Sequence, residues 1–217
     1  MMNILSPSIL SADFWNLGEA ISRLEEAQVP WLHIDVMDGI FVPSISYGMP
    51  VMQCIRKHTK MFLDVHLMID RPERYVQAFA DNGADLINFH IESTQKITET
   101  IQAIHEVGRK AGISIKPGTP AAAVEPYLEM VDMVLVMTVE PGFAGQVLIP
   151  ECLTKAKEVR AMADARGLSL DIEVDGGIYL GNVEETLASG ANVIVAGSSI
   201  FKEDIAVNTK AFMEKLK

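Results

Sequence analysis

Apolar residues fall in two alternating patterns along the chain. Short runs rich in Val, Ile and Leu read as strands: Ile4–Ile9, Trp31–Val36, Met61–His66, Leu86–Ile91, Ile113–Lys116, Met133–Thr138, Leu170–Val174 and Val193–Ala196. Longer amphipathic stretches between them read as helices, among them Phe14–Ala27, Arg71–Asp81, Thr94–Lys110, Pro150–Ala165 and Val183–Ser189. Strands that are almost continuously apolar suit a parallel sheet covered on both faces. Eight strand–helix units within 217 residues predict an α/β fold, a closed (β/α)8 TIM barrel of parallel strands. A doubly wound open sheet is the alternative.

Small-residue turns recur ahead of the strands, at Asn82-Gly83-Ala84-Asp85, Lys110-Ala111-Gly112 and Ser189-Gly190-Ala191-Asn192. Glycine at such places ends a helix in the left-handed conformation, so these turns form a weak internal repeat of like units. No long polar linker interrupts them, which predicts one domain spanning 1–217. The longest irregular stretches, Asp38–Gly48 and Val139–Ile149, follow strands rather than precede them. In a barrel the loops after the strands build the active face.

Composition narrows the function. Hydrophobic residues make up 49% of the chain, enough for a large core. No apolar run reaches the roughly 18 residues of a membrane span. The net charge of −11, with Lys and Arg scattered, disfavours nucleic acid as a partner. A small phosphorylated substrate is still compatible, because backbone N–H groups bind phosphate locally. The first ten residues carry no basic side chain, so neither a secretory signal nor a transit peptide is expected, and the expected location is cytoplasmic. Cys54 and Cys152 make no disulfide framework and no CxxC pair, and read as buried or semi-buried free thiols.

The chemistry gathers at strand ends. His33 and Asp35 are two apart in one strand and point to one face. His66 and Asp175 stand near the ends of two others. Two imidazoles and two carboxylates without cysteine suit an open catalytic site for zinc, ferrous iron, manganese or cobalt, and the carboxylates can also move protons. A second signal is three small-residue loops. Gly142, Phe143, Ala144 and Gly145, then Gly176-Gly177, then Gly197-Ser198-Ser199 let backbone approach an anion. The last two follow the seventh and eighth strands, a frequent phosphate site in barrels. Met37, Met68 and Met137, three of 12 methionines, lie beside these strand ends, either as core filler or as a soft lining over reacting carbons.

These motifs resemble one family. PSILSADF at Pro7–Phe14, HIDVMDG at His33–Gly39, DVHLM at Asp64–Met68, MTVEPGFAGQ at Met137–Gln146 and EVDGG at Glu173–Gly177 are similar to ribulose-phosphate 3-epimerase, from Ser6 to about Phe201. The resemblance implies interconversion of D-ribulose 5-phosphate and D-xylulose 5-phosphate in the pentose phosphate pathway. It implies one divalent ion per chain, held by His33, Asp35, His66 and Asp175, with Asp35 and Asp175 as the two acid/bases. Ser8 and His66 would touch the sugar. The phosphate would rest on Gly142 to Gly145, Gly176, Gly177, Gly197 and Ser198, and the three methionines would line the site. The chain would form a homo-oligomer, a dimer or hexamer.

The implied reaction agrees with the residues. Epimerisation beside a ketone needs a proton taken from one face and returned to the other, hence two opposed bases. The chain departs from the family's common pattern at Ile40 (often His), Ser44 (often Asn), Ala144 (often Gly) and Lys116 (often Asn). Ala144 also occurs in allulose-6-phosphate 3-epimerases, so a ketohexose 6-phosphate is the alternative substrate. A non-catalytic sugar-phosphate-binding barrel is the third reading.

Overall fold

The structure is a computed structural model, and it describes residues 2–217. Its centre is one sheet of eight parallel strands: β1 (Ile4–Pro7), β2 (Trp31–Met37), β3 (Phe62–Met68), β4 (Leu86–His90), β5 (Lys110–Ile115), β6 (Met133–Met137), β7 (Asp171–Asp175) and β8 (Val193–Ala196). Neighbouring strands pair in order from β2 through β8 to β1. A parallel bridge between Ser8 and His33 joins β1 to β2 and closes the barrel.

The strands are less uniform than their apolar runs suggest. Every second residue faces the helices and is aliphatic or aromatic: Leu32, Ile34 and Val36 on β2, Leu63, Val65 and Leu67 on β3, Ile87 and Phe89 on β4. These pack in one continuous core against α1 (Leu17–Glu26), α2 (Met49–His58), α3 (Val76–Asp81), α4 (Ile97–Glu106), α5 (Glu151–Ala165), α6 (Val183–Ala188), α7 (Ser198–Phe201) and α8 (Ile205–Lys215). The alternate residues fill the barrel. At its lower end they are apolar, with Ile4, Trp31, Leu86, Met133 and Val193 forming a plug. Above the plug they turn polar: Ser6, His33, Asp64, Asn88, Ser114 and Glu173, all fully buried. Burying polar groups is costly unless they are paired, yet His33 Nε2, Asp64 Oδ1, Asn88 Nδ2 and both Glu173 oxygens lack a hydrogen-bond partner.

Several boundaries differ from the sequence reading. Ile9–Ser11 leaves β1 as a 3-10 turn, because the Ser8 hydroxyl accepts the Leu10 N–H and turns the chain. Lys110-Ala111-Gly112 is strand, not turn. Lys110 to Gly112 pair with Leu86 to Asn88, and the left-handed glycine ending α4 is Gly108, at φ 73°. Gly83 and Gly190 do end their helices with positive φ. Cys152 is buried as expected, but Cys54 is exposed on α2. Among the described residues, no helix is long and apolar enough to cross a membrane.

Candidate active site

The strand register sets the site. Asp35 on β2 lies beside His66 on β3, and His33 lies beside Asp64 one layer below. On β7, Asp175 is level with Met137 and Val195 of its neighbours. The barrel therefore delivers His33, Asp35, His66 and Asp175 to one place, where a ligand atom from each lies within 4.8 Å of all the others. Asp35 is central. Its Oδ2 accepts the Ser8 hydroxyl at 2.5 Å, and its Oδ1 lies 3.0 Å from His66 Nδ1 and 3.3 Å from His33 Nε2.

Both imidazoles are oriented from outside. His33 Nδ1 donates to Asp64 Oδ2 at 2.6 Å, which leaves Nε2 facing the centre, buried and without a hydrogen-bond partner. On His66, Nδ1 faces Asp35, while Nε2 meets His90 Nε2 at 2.9 Å. Inward nitrogens, fixed by hydrogen bonds at the other ring atom, are the arrangement of metal-binding histidines. An orphaned buried nitrogen beside two carboxylates fits a cation, so the four side chains could hold a metal ion.

The group His33, Asp64 and Glu173 also brings one ligand atom from each within 4.8 Å of the others. Its nitrogen, however, is the one already donated to Asp64, so the group acts as the support under His33. Burial, then the Asp64 charge, push Glu173 well above the usual carboxyl range. Burial opposes ionisation of Asp64 too, but the adjoining His33 outweighs it and holds Asp64 low. Burial alone would lower His33, yet the charges of Asp64, Asp35 and Glu173 together raise it well above 6.5.

The two central carboxylates separate in the same way. Burial works against the Asp35 anion, but the adjoining His33 overcomes it and leaves Asp35 strongly acidic. Asp175 has burial and the Asp35 charge both against its anion, and rises to about 7. One carboxylate poised as base and one as acid is the signature of acid–base chemistry. The Asp175 backbone is fixed by Thr138, which donates to the carbonyls of Asp175 at 2.8 Å and Gly176 at 2.6 Å.

Above these groups opens a cavity of about 280 Å³. Its floor includes Ser8, Asp35 and Asp175, and Met37, Met68 and Met137 line its sides. Gly142, Phe143, Ala144 and Gly145 border it on one flank, and Gly176, Gly177, Gly197 and Ser198 on another. Gln146 Nε2 clasps the first loop by donating to the carbonyls of Glu140 and Phe143 at 2.7 and 2.9 Å. Gly177 is required by its surroundings: φ is +68°, and a Cβ would overlap the backbone of Leu148 and Gln146. Gly197 is a glycine for a different reason. Its φ is −101°, and its need is for space, since a Cβ would lie 2.5 Å from Ser11 Oγ.

His33 and His66 do not line this cavity; both are fully buried, His33 one layer below Asp35 and His66 beside it. The sequence reading assigned no role to Asp64, Glu173, His90 or Glu92. Asp64 and Glu173 lie two residues before His66 and Asp175, so the same period-2 rule that paired His33 with Asp35 points to them. His90 falls at the end of β4, where Asn88 shares its face by the same rule. Glu92, two residues on, accepts from His90 Nδ1 at 3.2 Å.

The profile of the ribulose-phosphate 3 epimerase family matches residues 4–201. The chain is 49% identical over 200 residues to a ribulose-phosphate 3-epimerase of Synechocystis sp., covering 91% of this chain and 87% of that one. It is 46% identical to the Bacillus subtilis protein of the same name, covering 91% of each. Among solved structures, a 3-hexulose-6-phosphate synthase from Salmonella typhimurium superposes with a TM-score of 0.76 at 22% identity, over 100% of this chain and 98% of that one, a likeness of fold. The chain belongs to the ribulose-phosphate 3-epimerase family.

Proposed function

We propose that the protein is a ribulose-phosphate 3-epimerase, interconverting D-ribulose 5-phosphate and D-xylulose 5-phosphate by metal-assisted two-base proton transfer at C3. The observation that carries this reading is the pair Asp35 and Asp175. They reach one cavity from β2 and β7, and their surroundings drive their acidities apart.

His33, Asp35, His66 and Asp175 would hold one divalent ion per chain. Nitrogen and oxygen donors without cysteine suit zinc, ferrous iron, manganese or cobalt. When bound, the ion supplies Lewis acidity that stabilises negative charge developing on the C2 and C3 oxygens. Asp35 takes the C3 proton from one face of the sugar, and Asp175 delivers a proton to the other; the reverse reaction exchanges their roles. Ser8 holds Asp35 Oδ2 and meets the sugar on the cavity wall, with His66 behind Asp35. Met37, Met68 and Met137 keep water from the reacting carbon. Gly142, Phe143, Ala144, Gly145, Gly176, Gly177, Gly197 and Ser198 receive the phosphate through backbone and hydroxyl donors.

The family resemblance further supports a single catalytic domain over 1–217 in a homo-oligomer, a dimer or hexamer. We place it in the cytoplasm: a 47% identical relative from Oryza sativa is named a cytoplasmic isoform, although one from Arabidopsis thaliana is named chloroplastic. A coupled assay offering ribulose 5-phosphate and allulose 6-phosphate side by side tests the reading. The pentose is expected to react about tenfold faster or more in kcat/KM, the scale on which one extra substrate group is discriminated. Preference for the hexose would move the chain to the sibling activity, and turnover of neither would leave a binding barrel.

A further inference from the structure

Behind His66 a chain of polar groups runs from the buried His90 outward to the exposed Glu92 at the barrel rim. Glu92 Oε1 accepts the Lys116 N–H at 2.8 Å and the Thr119 hydroxyl at 2.5 Å. Its Oε2 lies 3.2 Å from His90 Nδ1, and His90 Nε2 lies 2.9 Å from His66 Nε2. Both rings are fully buried, and Phe41 packs against His90 with centroids 4.9 Å apart and the rings tilted by 44°. The order of donors in this chain follows from its outer end.

A carboxylate that already receives two donors is an acceptor only, so His90 must carry its proton on Nδ1. A neutral His90 then presents a lone pair at Nε2. Two ring nitrogens at 2.9 Å need one hydrogen between them, so His66 donates from Nε2. His66 is thereby left with a bare Nδ1, 3.0 Å from Asp35 Oδ1. A lone pair against a carboxylate oxygen repels unless a cation lies between them. Without the outer groups, His66 would take the other tautomer and donate Nδ1–H to Asp35.

We infer that Glu92, acting through His90, is a positioning residue that sets the His66 tautomer and so keeps Nδ1 open for a divalent ion. The inference rests on the proposal that His66 is a metal ligand. The outer groups do for His66 what Asp64 does for His33, but across two links rather than one. Glu92→Gln places an amide where the carboxylate was, and lets the whole chain reverse. His90→Leu removes the acceptor, and His90→Gln restores one through its side-chain oxygen.

Two measurements test this. In metal-free protein, long-range 15N NMR is expected to show His66 protonated at Nε2 in the wild type and at Nδ1 in His90→Leu. Cobalt(II) titration against a competing chelator is expected to show binding about 10–100-fold weaker in Glu92→Gln and His90→Leu, the usual scale for lost supporting partners. Recovery in His90→Gln separates this from general loss of structure. A wild-type His66 protonated at Nδ1, or unchanged tautomer and affinity in both Glu92→Gln and His90→Leu, overturns the inference. His66→Asn reports on the ligand assignment alone: unchanged cobalt affinity there removes His66 from the metal site, and with it the open-nitrogen role.

Discussion

Asp35 and Asp175 carry the same functional group and are driven apart by their neighbours. The His33 imidazole holds Asp35 acidic, and burial beside Asp35 raises Asp175 to about 7. Replacing either with Asn is expected to lower kcat by at least about 10²–10⁴-fold, the scale of one general acid or base. The Asp175→Asn enzyme should still exchange the C3 proton of one epimer with solvent deuterium, because the opposite base remains; wild-type-like turnover in either variant refutes the pair. His33 gives a second test. Its folded pKa lies well above 6.5, so the metal-free protein keeps that proton until pH rises past the raised value. Metal binding must displace it, together with the proton that Asp175 holds below about 7, so protons are released at neutral pH and apparent affinity increases with pH. Calorimetry in two buffers of unlike ionisation heat checks this, and binding without proton release contradicts it. The four metal-site residues were legible because His33 and Asp35 sit two apart in one apolar run and His66 and Asp175 stand near the ends of two others. The period of two puts Asp64 and Glu173 on the face of His66 and Asp175, but only the folded barrel brings them against His33 Nδ1 as its support. His90 is the same case: only the register that sets His66 opposite Asn88, one turn of the pleat from His90, brings the two rings together.

The eight strands were readable as elements, yet their apolar runs concealed a period of two. Both faces are buried, and only the inner one is polar above the plug. Phe89 faces the helices at 0% exposure, so Phe89→Ala is expected to cost about 3–5 kcal/mol in denaturant unfolding. Losses under 1 kcal/mol would mean that this face is not tightly packed. The helix α2 escaped the sequence reading because it buries only Met52 and Ile55, too sparse a stripe to show a helical period. The loops after β6 and β7 were legible from their glycines, though not how they support each other. Gly177 passes so close to Leu148 and Gln146 that Gly177→Ala must separate them. Strain there is expected to cost about 1–3 kcal/mol. KM for ribulose 5-phosphate should rise while the barrel still folds; an unchanged KM would remove Gly177 from the phosphate site.

The closed barrel puts every chemical group at one end. The bridge from Ser8 to His33 that completes the ring lies within the site, so closure and catalysis use the same residues. A chain with net charge −11 binding an anionic sugar needs that charge answered locally, by backbone donors and a cation rather than by a basic surface. The central claim is proton exchange at one carbon from two sides, and it is tested most directly in D2O. D-ribulose 5-phosphate incubated with the metal-loaded enzyme and followed by 1H NMR should yield D-xylulose 5-phosphate with deuterium at C3. Early in the reaction, the product should carry solvent deuterium while remaining ribulose 5-phosphate keeps its C3 proton, because one aspartate removes what the other replaces. Xylulose 5-phosphate that retains the original C3 proton would mean that a single base carries it across, and would contradict the two-base account.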